Sequence, residues 1–515
     1  MPSLDAGGGR ARHGGSGSLR YHGRGECQEA RMNDLSMSLL PLVRGRHAAA
    51  RAAGSSRDRN LAAGDQEGGT RGGAPGLATD EILGAGLMDV VMHEVGHTLG
   101  LRHNFEGSTL LTLEELQDPS KTAEVGLTSS VMDYLPLNIC SSKMQGTEAP
   151  HYFTPHIGEY DMWAIKYGYM AVEGEELLAE HEDLKALASQ ALPFSTDEDG
   201  SDSSGINPLA SVFDLGKEPM DYWEDRLELV TELWPVLLER STQQGEAQFQ
   251  RYGYAALSLL RQVHLSGLYS TKYLGGFDIS KQRRVADDTP GPIQLVPADR
   301  QRRALALILR VVAGDGSPAG DAAFLPGEDD FPNLALFTGW CEGLGQYCYG
   351  TVPVDVLSEV NKIRKSLLLQ AFSVDHLMRL RLHSWAASGD VLSVSEMFET
   401  ATNAVWGDGG FGSERAKLWQ NWDLMLFWLE VLQASLGFML CAYGSAGASS
   451  VVPGDVAVTA VGQVYSLMDT GNNLTATDPA YGLHRAASLK LGAWEEKDST
   501  DGYVLWLLGG LGLLP

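Results

Sequence analysis

Cysteine is scarce in this sequence, and no apolar core of a signal peptide opens it. Five cysteines in 515 residues are too few and too scattered for a disulfide framework, so an unpaired, buried thiol is the expected state of each. Cys341 and Cys348 could pair if the protein is exported. The stretch "LSMSLLPLV" comes late, is short and is poorly flanked for a signal peptide. The sequence alone therefore leaves the compartment unknown.

Long apolar runs are few as well. The stretch "LMLFWLEVLQASLGFMLCAY" nearly reaches the length that spans a membrane, but Glu430 and Gln433 lie in its middle. A buried helix is favoured over a membrane span.

Positive charge is scarce after the first 75 residues. Residues 76–515 carry 28 Lys and Arg against 59 Asp and Glu, and so acidic a body disfavours nucleic acid and anionic membranes as partners. The 11 basic residues before it are all arginine, set among Gly, Ala and Ser. This segment has too little apolar surface to offset the entropy of ordering. Residues 1–78 are therefore predicted to be disordered, and their lack of interleaved aromatics disfavours nucleic-acid binding.

Histidines, in contrast, are concentrated in one place. The stretch "VVMHEVGHTLGLRHNF" holds three of the chain's 13 histidines within eleven residues. A helical pattern runs through it, and His93 and His97, four residues apart, project from one helix face. Gly100 can end that helix because glycine accepts the left-handed cap conformation. The chain can then turn and bring His103 to the same point.

This spacing is typical of a catalytic zinc site. Two imidazole nitrogens on one helix face can reach a zinc ion at about 2.0–2.1 Å, and three protein ligands leave a position open for water. Glu94 is placed to meet that water rather than the metal. The ion lowers the water's pKa towards about 7, so Glu94 can act as general base while the ion polarises a carbonyl. These steps amount to amide hydrolysis.

Two less active explanations are a helix with histidines bonded in its core and a structural zinc site. The first is disfavoured because several positions fit one template. The second would need a fourth Cys or His, and none lies in the helix or its following turn.

The pattern resembles the metzincin superfamily of zinc endopeptidases, which carry a methionine turn below the metal. "SSVMDYLPLN" supplies such a turn, with Met132 twenty-nine residues after His103. The resemblance implies that Met132 packs beneath the metal and that Tyr134 stabilises the oxyanion. The alternatives are core filler for Met132 and a packed aromatic with a bonded hydroxyl for Tyr134.

The chain looks most like a mostly bacterial group of predicted zinc-dependent proteases with a Met-zincin domain, from about residue 80 to residue 410. "HEVGHTLGLRHNF", "SVMDY" and "FDLGKEPMDYWEDRLEL" carry this resemblance, and "YFTPHIGEYDMWAIKYGY" is similar to the closing helix of such domains. It implies a peptide or protein substrate and an exported or periplasmic location.

A metzincin catalytic domain normally has a twisted sheet before the zinc helix. The 78 residues that precede the helix here lack strand alternation, so the N-terminus could be incomplete. The predicted fold is mainly α: a metzincin-like zinc-helix and Met-turn half-domain, its upper β-sheet subdomain missing or poorly formed, followed by a mostly α-helical C-terminal region. The predicted parts are 1–78 (low-complexity), 79–175 (metzincin-like catalytic zinc region), 176–210 (acidic linker), 211–445 (helical domain) and 446–515 (tail of unknown structure).

The predicted function is a zinc-dependent endopeptidase with one catalytic zinc ion. A truncated metal-binding homologue, weak or inactive as an enzyme and acting as an interaction protein, is the alternative, and an amidase for non-protein amides would use the same site. A second metal, calcium, could bind the oxygen ligands of an acidic run, although a solvated linker is favoured. That run is Asp197, Glu198, Asp199 and Asp202.

Overall fold

The computed structural model describes residues 79–144, 150–171, 181–190, 192–200, 203–241, 249–281, 291–314, 356–387, 389–407 and 423–432, with short pieces at 39–40, 43, 324–325, 338–340, 351–353, 410, 413–414, 416–417, 480 and 487. These residues are mostly helical, so the predicted mainly α class is confirmed. The helices around the histidines are α1 (Thr79–Thr98), α2 (Leu113–Leu116), α3 (Pro119–Val125), α4 (Glu159–Tyr169) and α5 (Glu182–Ala188). The later ones are α6 (Pro219–Ser241), α7 (Phe249–Ser270), α8 (Ala298–Ala313), α9 (Val356–Ala371), α10 (Val374–Ala386) and α11 (Val394–Trp406).

Helix α1 ends in the way that the sequence predicts. Gly100 has a φ of 88°, in the left-handed region that glycine adopts without a side-chain clash. Its N–H donates to the carbonyl of His97 at 3.0 Å, and the N–H of Leu101 donates to that of Gly96 at 3.1 Å. These two bonds form a Schellman motif, which satisfies carbonyls at the helix end and reverses the chain. The turn directs the following residues back towards α1.

The first turn of α4 supports the loop that carries Met132. The carboxylate of Asp161 accepts hydrogen bonds from the Val131 N–H at 2.8 Å, the Ser130 hydroxyl at 2.6 Å and the Gly158 N–H at 3.1 Å. Burial raises the pKa of Asp161, although these three donors act in the opposite direction. A carboxylate near a helix N-terminus is also stabilised by the helix dipole. Asp161 therefore joins α4 to the methionine loop.

Replacing Gly158 by alanine is expected to destabilise this junction. A Cβ atom at Gly158 would overlap the backbone of Ser129, which cannot rotate away as a side chain can. Overpacking of this kind costs about 1–3 kcal/mol. Gly168→Ala is the control, because a Cβ there meets nothing within 4 Å and alanine favours the helix by about 1 kcal/mol. Urea denaturation should show G158A less stable and G168A no less stable than the parent, and equal loss in both would contradict this account.

The later helices pack around an apolar core. Trp223 of α6, Leu259 of α7 and Ile308 of α8 are each at most 1% exposed, and burying such a side chain contributes about 1.5–3 kcal/mol. Phe105 and Leu116, from the histidine-bearing region, belong to the same cluster of packed side chains. The described residues on both sides of the predicted linker therefore share one core, and the domain boundaries stay a prediction.

The described strands are short and follow α7 in the chain. β1 (Phe277–Ile279) pairs antiparallel with β2 (Ile293–Leu295), and β3 (Thr338–Trp340) pairs antiparallel with β4 (Thr351–Pro353). Of the predicted disordered start, only residues 39–40 and 43 fall within the described residues, and these are helical and buried. The remainder of the start lies outside the described residues.

No helix in the described part of the chain is long and apolar enough to cross a membrane. Of the apolar stretch considered above, residues 424–432 are described and helical, and Trp428 and Leu432 are fully buried there. The rest of that stretch, and most of the predicted C-terminal tail, lie outside the described residues.

Candidate metal centre

The first two histidines are presented by α1. His93 is 1% exposed, and its Nδ1 donates to the carbonyl of Val131 at 2.8 Å. His97, one turn later, is exposed, and its Nδ1 donates to the carbonyl of Leu101 at 3.1 Å. A carbonyl oxygen only accepts hydrogen bonds, so the proton must sit on Nδ1 in both rings. This tautomer leaves each Nε2 lone pair available to a metal.

The third histidine reaches the same point after the Schellman turn. The ring centroid of His103 lies 5.4 Å from that of His93 and 4.8 Å from that of His97. Its Nδ1 lies 2.8 Å from the Oδ1 of Asp197. An ionised carboxylate can only accept, so here too the proton belongs on Nδ1.

The three imidazoles fit one metal ion. One ligand atom from each of His93, His97 and His103 lies within 4.8 Å of the others. They form the single group of three or more metal-ligating side chains found in the described residues. Three nitrogen donors of this kind suit zinc, and second-layer acceptors on the other ring nitrogens are the usual accompaniment of metal-ligating histidines.

Electrostatics favours the neutral imidazole that metal binding needs. Burial is the main cause that lowers the pKa of His93 to about 4, and the neighbouring His103 and His97 lower it further. His93 is therefore neutral at pH 7 without any metal. The pKa of Asp197 is lowered: burial raises it, but the hydrogen bond and charge of His103 outweigh that effect.

Tyr134 lies at the metal-facing side of His103. Its hydroxyl is 2.9 Å from the Nε2 of His103, and it donates to that atom when Nδ1 carries the proton. The Tyr134 ring lies 4.7 Å from the ring of His103 and 5.4 Å from that of His93. The structure therefore brings the predicted tyrosine to the three histidines.

Phe213 holds the tyrosine from behind. Its N–H donates to the carbonyl of Tyr134 at 2.8 Å, and its ring stacks on that of Tyr134 at 6.3 Å. Among the described residues it is the single non-glycine residue at positive φ, at 65°. Such a conformation costs a bulky residue about 1–3 kcal/mol and persists where surrounding contacts impose it.

Met132 lies beneath α1, fully buried. Its sulfur packs so closely on Gly96 that a Cβ atom at that position would overlap it. The preceding carbonyl, that of Val131, is the acceptor for His93. The methionine loop thus supports the site twice, by packing under the helix and by orienting its first histidine.

Glu94 follows His93 on α1 and is exposed. It is near enough for its negative charge to act on His93, where it raises the pKa against the larger effect of burial. Two further histidines lie outside the group: His151 Nδ1 is 2.7 Å from the Thr122 hydroxyl, and His156 contacts the carbonyls of Ile157 and Ala123.

The predicted calcium ligands have other partners where they are described. Asp197 bonds to His103, Glu198 pairs with Arg102 at 2.6 Å, and Asp199 contacts Lys281. Asp202 lies outside the described residues, so the calcium hypothesis stays a prediction.

Asp197 and Phe213 are the site residues that sequence reasoning missed. The acidic run was visible in the sequence, but the partner of Asp197 lies 94 residues upstream and no spacing rule connects them. Phe213 has no signal at all in a single sequence, since its positive φ is unexpected for an aromatic residue.

A helix with two histidines one turn apart, a turned chain with a third, and a methionine loop beneath define a mononuclear metal site of the zinc-enzyme type. A family model described as Met-zincin matches residues 77–410, more than half of the chain. The chain belongs to the Met-zincin family, and this membership indicates a zinc-dependent metalloprotease that acts on peptides or proteins. No match is found among curated proteins or among solved structures.

Proposed function

We propose that this chain is a zinc-dependent endopeptidase, with His93, His97 and His103 as metal ligands. The observation that carries the proposal is the set of three bonded Nδ1 atoms, which leaves three Nε2 atoms directed to one place. We also propose that α1, the methionine loop and α4 form the lower half of a metzincin-like catalytic domain.

When bound, a zinc ion supplies Lewis-acid chemistry, polarising the scissile carbonyl and acidifying water. The residues of the chain do the rest. Glu94, exposed beside the ligands, takes a proton from the attacking water and passes it to the leaving amine. Tyr134 gives up its bond to His103 and donates its hydroxyl proton to the oxyanion as negative charge develops.

Metal removal tests the proposal directly. The purified chain should contain about one zinc ion, and dialysis against a strong chelator should abolish cleavage of an unfolded protein substrate. Adding back zinc should restore cleavage, and a buffer-only dialysis is the control. A metal-free chain that retains full activity would refute the proposal.

One observation favours the alternative of a metal-binding interaction protein. The side of α1 turned away from the core exposes a row of large apolar side chains, each between 47% and 59% accessible. These are Leu83, Leu87, Val91 and Val95. So much exposed apolar area in a row is typical of a surface that binds another protein. Stoichiometric zinc with no cleavage of any unfolded protein or peptide library would favour this alternative.

A further inference from the structure

Residues 193–199, which we call the acidic segment, run beside the stretch that follows the third histidine. The Phe105 N–H donates to the carbonyl of Ser195 at 2.7 Å, and the Ser195 N–H donates to the side chain of Asn104 at 3.2 Å. The Ser195 hydroxyl donates to the carboxylate of Glu106 at 2.9 Å. Three consecutive residues after His103 are thus bonded to one residue of the acidic segment.

Asp197 is held in one orientation within this segment. Its Oδ1 accepts from His103 Nδ1 at 2.8 Å, while its Oδ2 accepts from the Thr196 hydroxyl at 3.2 Å and lies 3.5 Å from Arg102. Arg102 also forms a two-oxygen contact with Glu198, at 2.6 and 2.7 Å. The carboxylate of Asp197 therefore presents one fixed oxygen to His103.

The helical region anchors the acidic segment. Lys272, fully buried just after α7, donates from Nζ to the carbonyl of Gly200 at 3.0 Å and to that of Ala210 at 2.5 Å. Lys281 contacts Asp199, inside the segment. The position of Asp197 is thus set by residues far from the histidines in the sequence.

We infer that Asp197 is a positioning residue of the metal centre: by accepting the Nδ1 proton of His103 it fixes the ring's tautomer and orientation and strengthens Nε2 as a ligand. A carboxylate behind a metal-ligating histidine raises its basicity, and removing such a partner typically lowers metal affinity 10–100-fold. This inference rests on the proposed function only for the identity of the metal ligands. It also gives the helical region a part in building the site.

Zinc affinity, measured by competition with a chromophoric chelator, tests the inference. Asp197→Asn keeps an acceptor oxygen but loses the charge, so it should bind zinc about 10-fold more weakly than the parent, and Asp197→Ala about 100-fold. Glu198→Gln is the matched control. It lies in the same turn and shares Arg102 but has no bond to His103, and its exposed ion pair is worth little, so its affinity should stay within about twofold.

A double-mutant cycle separates positioning from general damage to the fold. In a His103→Ala background, where the acceptor has nothing to orient, Asp197→Asn should cause no further loss of affinity. Parental affinity in D197N, or a full additional loss in the His103→Ala background, would overturn the role of Asp197.

The same measurements keep this inference distinct from the proposed function. A parent chain that binds no zinc would overturn both. A parent that binds zinc tightly but cleaves nothing, with D197N weakened as expected, would refute the endopeptidase and support the role of Asp197. A cleaving parent with unchanged affinity in D197N would do the reverse.

Discussion

Replacing Glu94 by glutamine is expected to leave zinc bound and to lower kcat/KM for peptide cleavage by at least about 10²–10⁴-fold, the usual contribution of a general base. The side chain is exposed on α1 beside the metal ligands, and it is absent from the group of ligand atoms that converge. It can therefore reach a water molecule at the metal without holding the metal itself. Loss of its carboxylate removes the proton acceptor and leaves the ligand set intact.

Glutamine is the informative replacement because it preserves size and helix propensity. The fold of α1 and the burial of His93 should not change, so any loss of rate is chemical rather than structural. Glu81→Gln, an exposed carboxylate near the start of the same helix, is the control and should retain parental activity. The measurements are zinc content by atomic absorption and kcat/KM on one peptide substrate. Parental cleavage by E94Q would exclude Glu94 as the base, whereas zinc loss would mean that it ligates the metal.

Local sequence rules predicted the helix and its end well. His93 and His97 lie one turn apart because helical periodicity places them so, and Gly100 has the φ of 88° that a glycine cap predicts. Both features depend on residues within one or two turns of each other. Spacing alone was therefore enough to propose the two helical ligands.

The position of Met132 needed the family resemblance. No periodic pattern relates it to α1, yet its sulfur packs on Gly96, and Gly96 was read only as part of a histidine motif. The close approach of the two elements requires a residue without a side chain at that point. A single sequence shows the glycine but not the residue that fills the space above it.

The supporting layer could not be predicted, because it is built from contacts distant in sequence. Asp197 was assigned to a solvated linker, and Phe213 was assigned no role. Charge patterning reports only that an acidic run is polar, and it says nothing of which side chain the run will meet. The site therefore combines a locally encoded ligand set with a support that only the folded chain creates.

Removing the Tyr134 hydroxyl, as Tyr134→Phe, is expected to lower kcat by about 10²–10³-fold, the usual cost of losing one oxyanion donor. The ring should stay in place, because its packing against Phe213 and Phe105 involves no hydroxyl. Zinc affinity should stay close to the parental value, since the hydroxyl contacts His103 and is not needed for the three nitrogen ligands. The loss should fall on kcat rather than KM, because the bond to the substrate strengthens as charge develops in the transition state.

Tyr167→Phe supplies the control. Its ring stacks on Trp163 on α4, it is 45% exposed, and it makes no contact with the three histidines. Steady-state kinetics on one peptide, with zinc content measured in parallel, should give parental values for Y167F and a low kcat with normal zinc for Y134F. A Y134F enzyme with parental kcat would reduce Tyr134 to a packed aromatic. A large loss of zinc in the same variant would instead make the hydroxyl a ligand, because only a ligand's removal weakens the metal without disturbing the ring that carries it.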